Sequence, residues 1–154
     1  MISNSTPLIC LARVNQLELL KKLFKKIIVP EEVKKEVLIE NKPGYSVLKE
    51  AFSKWIKVRK VDSKLPVGLH EGEKAAISLA YEKNENIILD DLKAIKVAQA
   101  YNIPVFRTTT IIIIAVKKNI ISKKEGLQLI NKLIENGYYI SPLVYIDIVA
   151  KLQS

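Results

Sequence analysis

Ile87 to Asp91 reads IILDD, a short apolar run that ends in two adjacent carboxylates, with a helical pattern starting at once. Acids at a strand end either cap the next helix or do chemistry, and Asp caps well. Two in a row leave one over. Asp91 shares a helical face with Ala94, Ile95 and Ala98, which starts its carboxylate on the buried side, where it needs a compensating cation. Asp91 is therefore the better ligand and Asp90 the better cap. Glu73 lies on a helix whose face continues through Ala76, Ile77 and Ala80, a face that reads as buried. A Glu in a first helical turn also answers the helix dipole, so Glu73 has an ordinary explanation too. Glu71 falls on the side of Lys74, Ala75, Ser78 and Glu82 and reads as solvated. Glu36 shares its face with Glu32 and Glu40 as well as Val33, and only its position after the run Ile27 to Val29 commends it.

Carboxylates without His or Cys select hard cations, Mg2+ or Mn2+. Such an ion in a basic protein suits phosphodiester hydrolysis, where it activates water and steadies the leaving oxygen. The other chemistries lack parts. Cys10 is the only cysteine and reads as a buried, inert thiol among Leu8, Ile9, Leu11 and Ala12. His70 is the only histidine; a His-based zinc site or a Ser-His-Asp triad would need partners it lacks, and it reads as exposed at a helix start. No Gly-rich phosphate loop is present. A net charge of +9, from 25 Lys and Arg against 16 Asp and Glu, fits a polyanionic partner, although Lys, Glu and Ile enrichment also marks hyperthermophile surfaces. The longest apolar run, Ile111 to Val116, is too short to span a bilayer, and no signal peptide precedes it, so an intracellular, cytoplasmic protein without a membrane partner is expected.

Positioning these acids falls to strand-like runs at Met1 to Ser3, Ile27 to Val29, Ile56 to Val58, Ile87 to Leu89 and Val105 to Phe106, with helical patterns between them. Thr6 and Pro7 read as the N-cap and first residue of a helix through Leu11 and Val14, and a second follows over Leu17, Leu20 and Phe24. Pro30 opens another, with Glu31 and Glu32 in its first turn. After a turn at Pro43 and Gly44 come a short helix over Val47 to Phe52, the helix of Glu73 and the helix after Asp91. Strands alternating with helices imply parallel pairing and a three-layer α/β/α sandwich, whose sites form at the strand C-terminal ends. Thr108 to Val116 suits a strand by composition and a helix by context. From Ser122 the chain reads as two more helices: one with a stripe of Leu127, Ile130 and Ile134 ending at Gly137, the other capped by Ser141 and opened by Pro142. One domain over the whole chain is expected, with a C-terminal helical extension from about Ser122.

The blocks ISNSTPLICLARV, IIVPEEVKKEV, LHEGEKAAISLA and IILDDLKAIKVA, the last followed by IPVFRTT, resemble in order and spacing those of PIN-domain proteins. They are most similar to the prokaryotic PIN-like subfamily related to VapC-type toxins, and the resemblance runs to about Lys118. It implies a Rossmann-like sandwich around a five-stranded parallel sheet and a Mg2+- or Mn2+-dependent ribonuclease site built by acids from separate segments. By position, the first family Asp falls on Asn4, the second acid on Glu36, the third on Glu73 and the fourth on Asp91, with Asp90 beside it. Ser3, Ser5 and Thr108 fall where such proteins place small hydroxyls near the metal. Asn4 departs from the pattern, because an Asn carbonyl can ligate a cation but brings no charge. The resemblance further implies single-stranded RNA as substrate, an antitoxin protein as a possible partner, and a homodimer. Two rival expectations are a catalytically silent PIN-fold module that binds RNA or a protein, and a purely structural domain with a thermophile surface.

Overall fold

Runs such as IIVP and IIL carry no polar alternation, which is what strands buried on both faces of a parallel sheet require. The computed structural model describes residues 1–62, 64–65 and 68–154. In it the five runs form one all-parallel sheet of β1 (Ile2–Ser3), β2 (Ile27–Pro30), β3 (Ile56–Arg59), β4 (Ile87–Ile88) and β5 (Val105–Phe106), ordered β3-β2-β1-β4-β5. From β1 the chain builds outward to β2 and β3, then crosses back to place β4 on the other side of β1. The order thus reverses between β1 and β4, where a parallel sheet leaves a crevice at its C-terminal edge. Ile2 pairs with Ile87 and Ser3 with Ile88, so Asn4 and the two aspartates emerge at that crevice.

Around the sheet lie α1 (Ser5–Arg13), α2 (Glu18–Phe24), α3 (Glu31–Val37), α4 (Tyr45–Lys54), α5 (Glu71–Lys83) and α6 (Leu92–Ala100), followed by α7 (Thr108–Lys117), α8 (Lys123–Glu135) and α9 (Pro142–Gln153). The fold is a three-layer α/β/α sandwich of PIN-like form. Its main core gathers Ile2, Ile27, Val29, Ile56, Ile77 and Ile87, and a second cluster joins Ile112 and Ala115 of α7 to Leu129, Ile130 and Leu133 of α8 and to Ile148 and Leu152 of α9. Among the described residues, no helix is long and apolar enough to cross a membrane.

Several local expectations shift. Asn4, not Thr6, is the N-cap of α1, and it makes no side-chain cap bond, which puts Pro7 at the third helical position, still ahead of any intrahelical donor it would have to supply. Thr108–Lys117 is helical, because burial of Ile112, Ala115 and Val116 in the cluster shared with α8 and α9, and of Ile111 in the main core, outweighs the β-branched composition. The buried stripe of α8 is Gly126, Leu129, Ile130 and Leu133, while Ile134 is exposed: the helix packs on two neighbours, α7 and α9, and their joint face is rotated from the one read. Ala75 and Ser78 are buried together with the Glu73 face, since α5 packs against β1, β2 and β4 on one side and α3 on another.

Candidate active site

The N-terminal turn of α5 lies at the same edge of the sheet as the ends of β1 and β4, because α5 runs antiparallel to the strand it precedes. Glu73 sits in that turn and is buried, with only 8% of its surface exposed. Burial first, and then the charges of Asp91 and Glu36, hold its carboxyl above the ordinary Glu value, while His70 acts in the opposite direction. Glu36, in the last turn of α3, is half-buried and accepts a hydrogen bond from the Ser5 hydroxyl. His70 is the N-cap of α5. Its Nε2 lies 3.2 Å from Glu73 Oε1 and its Nδ1 3.8 Å from Glu36 Oε1, so one exposed imidazole spans both acids.

Asn4 is 4% exposed, its backbone N–H donates to Ile88 O over 3.1 Å, and its side-chain Oδ1 is buried with no hydrogen-bond partner. An orphaned buried acceptor is costly unless something electropositive meets it. Ser3 is also buried, but its hydroxyl donates to Asn4 O at 2.9 Å and is committed to the turn.

The cap expected of Asp90 is supplied by Asp91 instead. Asp91 is the N-cap of α6: its backbone is extended, and its Oδ2 accepts from Ala94 N at 2.9 Å. It is exposed, because an N-cap residue stands outside the helix and the helical-face argument does not extend to it. Its second carboxylate oxygen makes no hydrogen bond among the described residues and remains available as a ligand. Asp90 instead clamps the domain. Its Oδ1 accepts from Thr108 N at 3.0 Å and from the Tyr138 hydroxyl at 2.5 Å, and its Oδ2 accepts from the Thr108 hydroxyl at 2.6 Å. Thr108 therefore serves Asp90 directly, and burial beside Asp90 pushes the Tyr138 phenol up. Arg107 adds a bond to Asp90 O at 3.3 Å.

Oxygen donors from Asn4, Glu36, Glu73 and Asp91, two of them buried and one orphaned, are what a hard divalent cation prefers. Among the described residues, no three His, Cys, Asp or Glu side chains stand close enough to form a ready-made cage. Repulsion among three carboxylates opposes such an approach.

Sequence reading missed three contributors. His70 had a signal, its i, i+3 spacing from Glu73. Gly72 had a weaker one, a residue without a side chain between two acids. Tyr138 had none, since it reaches Asp90 across 48 residues of chain. Cys10 is half-buried rather than buried, but that burial, then the Asp90 charge, raises the thiol to about 11, too high for a thiolate near neutral pH.

Comparison with known proteins now bears on this geometry. The family model DUF3368, described as a PIN domain, matches residues 1–154. The chain belongs to the PIN-domain family. No curated protein matches it significantly. Among solved structures, this PIN domain is similar to a PilT N-terminus domain protein, SSO1118, from the hyperthermophilic archaeon Sulfolobus solfataricus P2. The match has a TM-score of 0.51 at 18% identity and covers 72% of this chain and 90% of that one. At that identity the likeness carries the fold alone.

Gly72 shows how closely the PIN domain packs its acids. A Cβ built there would lie 2.6 Å from Cδ of Glu36 and closer still to Oε1, so the glycine leaves the space that the Glu36 carboxylate fills. The obstructing group is the mobile end of a side chain. Gly72→Ala is therefore expected to move the melting temperature by no more than a few degrees, about 1 kcal/mol at most. It should weaken Mn2+ binding as much as Glu36→Ala does. Calorimetric titration of both variants checks this, and normal Mn2+ affinity in Gly72→Ala would show that Glu36 is not a ligand.

Proposed function

We propose that this PIN domain is a divalent-metal-dependent endoribonuclease acting on single-stranded RNA. The observation that carries the reading is the convergence of Glu36, Glu73 and Asp91, from three separate segments, on the crevice where strand order reverses, beside the orphaned Oδ1 of Asn4. Glu36, Glu73 and Asp91, with Asn4 as a weaker fourth donor, would hold Mg2+ or Mn2+, and Asp90 would border them. Such an ion supplies Lewis-acid stabilisation of phosphate oxygens and a water made acidic enough to react near neutral pH. The chain's own part is to fix the donors. Ser5 orients Glu36, His70 bridges Glu36 and Glu73, the α6 N-terminus orients Asp91, and Thr108 and Tyr138 fix the Asp90 carboxylate.

The charge of +9 supports a polyanionic substrate. Three Lys-rich segments, Lys21 to Lys26, Lys54 to Lys64 and Lys117 to Lys124, would contact phosphates, although Lys64 is already paired with Glu32 and Glu71. RNA retention is expected to fall steeply between low and high salt, at roughly 0.7 log units per log unit of salt for each phosphate neutralised. Filter binding over a salt series measures the slope, and a flat profile or no retention at low salt contradicts the reading. Mn2+ should raise the melting temperature of the wild type and do so less in Glu73→Ala and in Asp91→Asn, a change that keeps the helix cap. A toxin-like role with an antitoxin protein, and a homodimer, belong to the same proposal.

A second reading has one observation of its own. Asn4 brings no charge to the position where the family pattern places an acid, which favours a silent module that binds RNA or a protein partner without cleaving it.

A further inference from the structure

Next to Asp91 the chain forms a cleft of about 560 Å3, within the range of small-ligand sites, whose walls include Asp91 but not Glu73, Glu36 or Asn4. Its walls come from α1 through Thr6, the start of α6 through its N-cap Asp91 and Leu92, the α7 N-cap Arg107, and the α8–α9 connection through Tyr139. Asp91 belongs to both places: it lines this cleft, and its charge acts on Glu73. A strand of RNA crossing the acids would therefore carry a neighbouring nucleotide into the cleft.

The cleft has the two components that recognise a base. Tyr139 is 80% exposed and Leu92 64%, large surfaces with no internal work to do. The backbone leading to Tyr139 is tied at its neighbour, since the Tyr138 hydroxyl donates to Asp90. Arg107 makes a single side-chain hydrogen bond among the described residues, to Asp90 O, and its Nε–H is buried with no partner. A flat aromatic face beside an under-used planar donor fork suits a π-face and an acceptor-bearing edge.

We infer that this cleft is a base-binding subsite, in which Tyr139 stacks on the base of a nucleotide next to the scissile phosphate and Arg107 meets its edge. The inference rests on the proposed RNA substrate and deepens it. The continuity through Asp91 and the Arg107 fork favour RNA over a protein segment as the occupant, since an apolar peptide face would leave the guanidinium desolvated and unpaired.

The test uses short single-stranded RNAs carrying one 2-aminopurine, bound to the full chain in the presence of a chelator so that no cleavage occurs. Stacking on Tyr139 should quench the fluorophore at one register of the oligonucleotide. Tyr139→Phe should keep the quench, and Tyr139→Ala should abolish it and weaken binding about 5- to 100-fold. The residue is exposed, so both variants should melt with the wild type. If the wild type retains RNA but Tyr139→Ala binds and quenches as it does, the subsite is wrong and the RNA reading stands. If the wild type retains no RNA, the RNA reading fails and the subsite with it. If Tyr139→Ala and Leu92→Ala leave RNA binding intact but lower the mass seen by light scattering, the cleft is a surface between protein chains, which also overturns the inference.

Discussion

Asn4→Asp is expected to tighten Mn2+ binding and to raise or create cleavage of single-stranded RNA. Asn4 is nearly inaccessible, and its Oδ1 already lacks a partner. A carboxylate there adds a charge among Glu36, Glu73 and Asp91. At an effective dielectric near 20 and ~4 Å, each opposite charge pair is worth about 4 kcal/mol, an upper guide before hydration and carboxylate repulsion are subtracted. A quarter of that is roughly fivefold in affinity. The same charge without a cation is buried beside other acids, so metal-free Asn4→Asp should melt below the wild type and recover when Mn2+ is added. Thermal melts with and without Mn2+, together with cleavage of a labelled RNA, give both readings. Glu73→Gln in the Asn4→Asp background should remove the gain. If neither Mn2+ affinity nor cleavage responds to Asn4→Asp, Asn4 only shapes the turn into α1 and the binding-module reading takes over.

Glu73→Gln alone is expected to separate stability from function. The Glu73 carboxyl is held above its ordinary value by burial and by its acidic neighbours, so the folded chain holds that proton more tightly than the unfolded chain does. Its contribution to stability is then fullest at acid pH. It is lost as pH rises from the ordinary Glu value through the raised one. Glutamine keeps the shape and omits the charge. The variant should melt above the metal-free wild type at pH 7 and show less decline between acid and neutral pH. It should also lose the response to Mn2+, which at a hundredfold excess over Kd would be about 2.7 kcal/mol, or roughly 5–10 °C, in the wild type. A Glu73→Gln protein that melts below the metal-free wild type at pH 7, or that still gains stability from Mn2+, would sink the assignment of Glu73 as a strained metal ligand. Such a trade of stability for a charged site is common where acids are gathered for function.

The strands, most of the helices and the placing of Glu73 on a buried face were legible in the amino-acid pattern, because these follow from local periodicity. Unbroken apolar triplets fit a sheet covered on both faces, and an acid in register with Ala76, Ile77 and Ala80 must share their side of the helix. The order of the blocks also carried the family. Which acid does what became visible only in the folded chain. Asp90 and Asp91 are equivalent as letters, and their division of labour depends on where the backbone turns from strand to helix: Asp91 lands at the cap, and Asp90 faces Thr108 and Tyr138, which are 18 and 48 residues away in sequence. His70 gave no sign of pairing with Glu36, since α3 and the α5 N-terminus meet only when both are laid on the sheet. The helix at Thr108–Lys117 was undecided for the same reason, its β-branched residues being placed by the packing of α8 and α9 against it. Local pattern fixes the elements, whereas a site made from several segments exists only once the sheet has set their ends side by side.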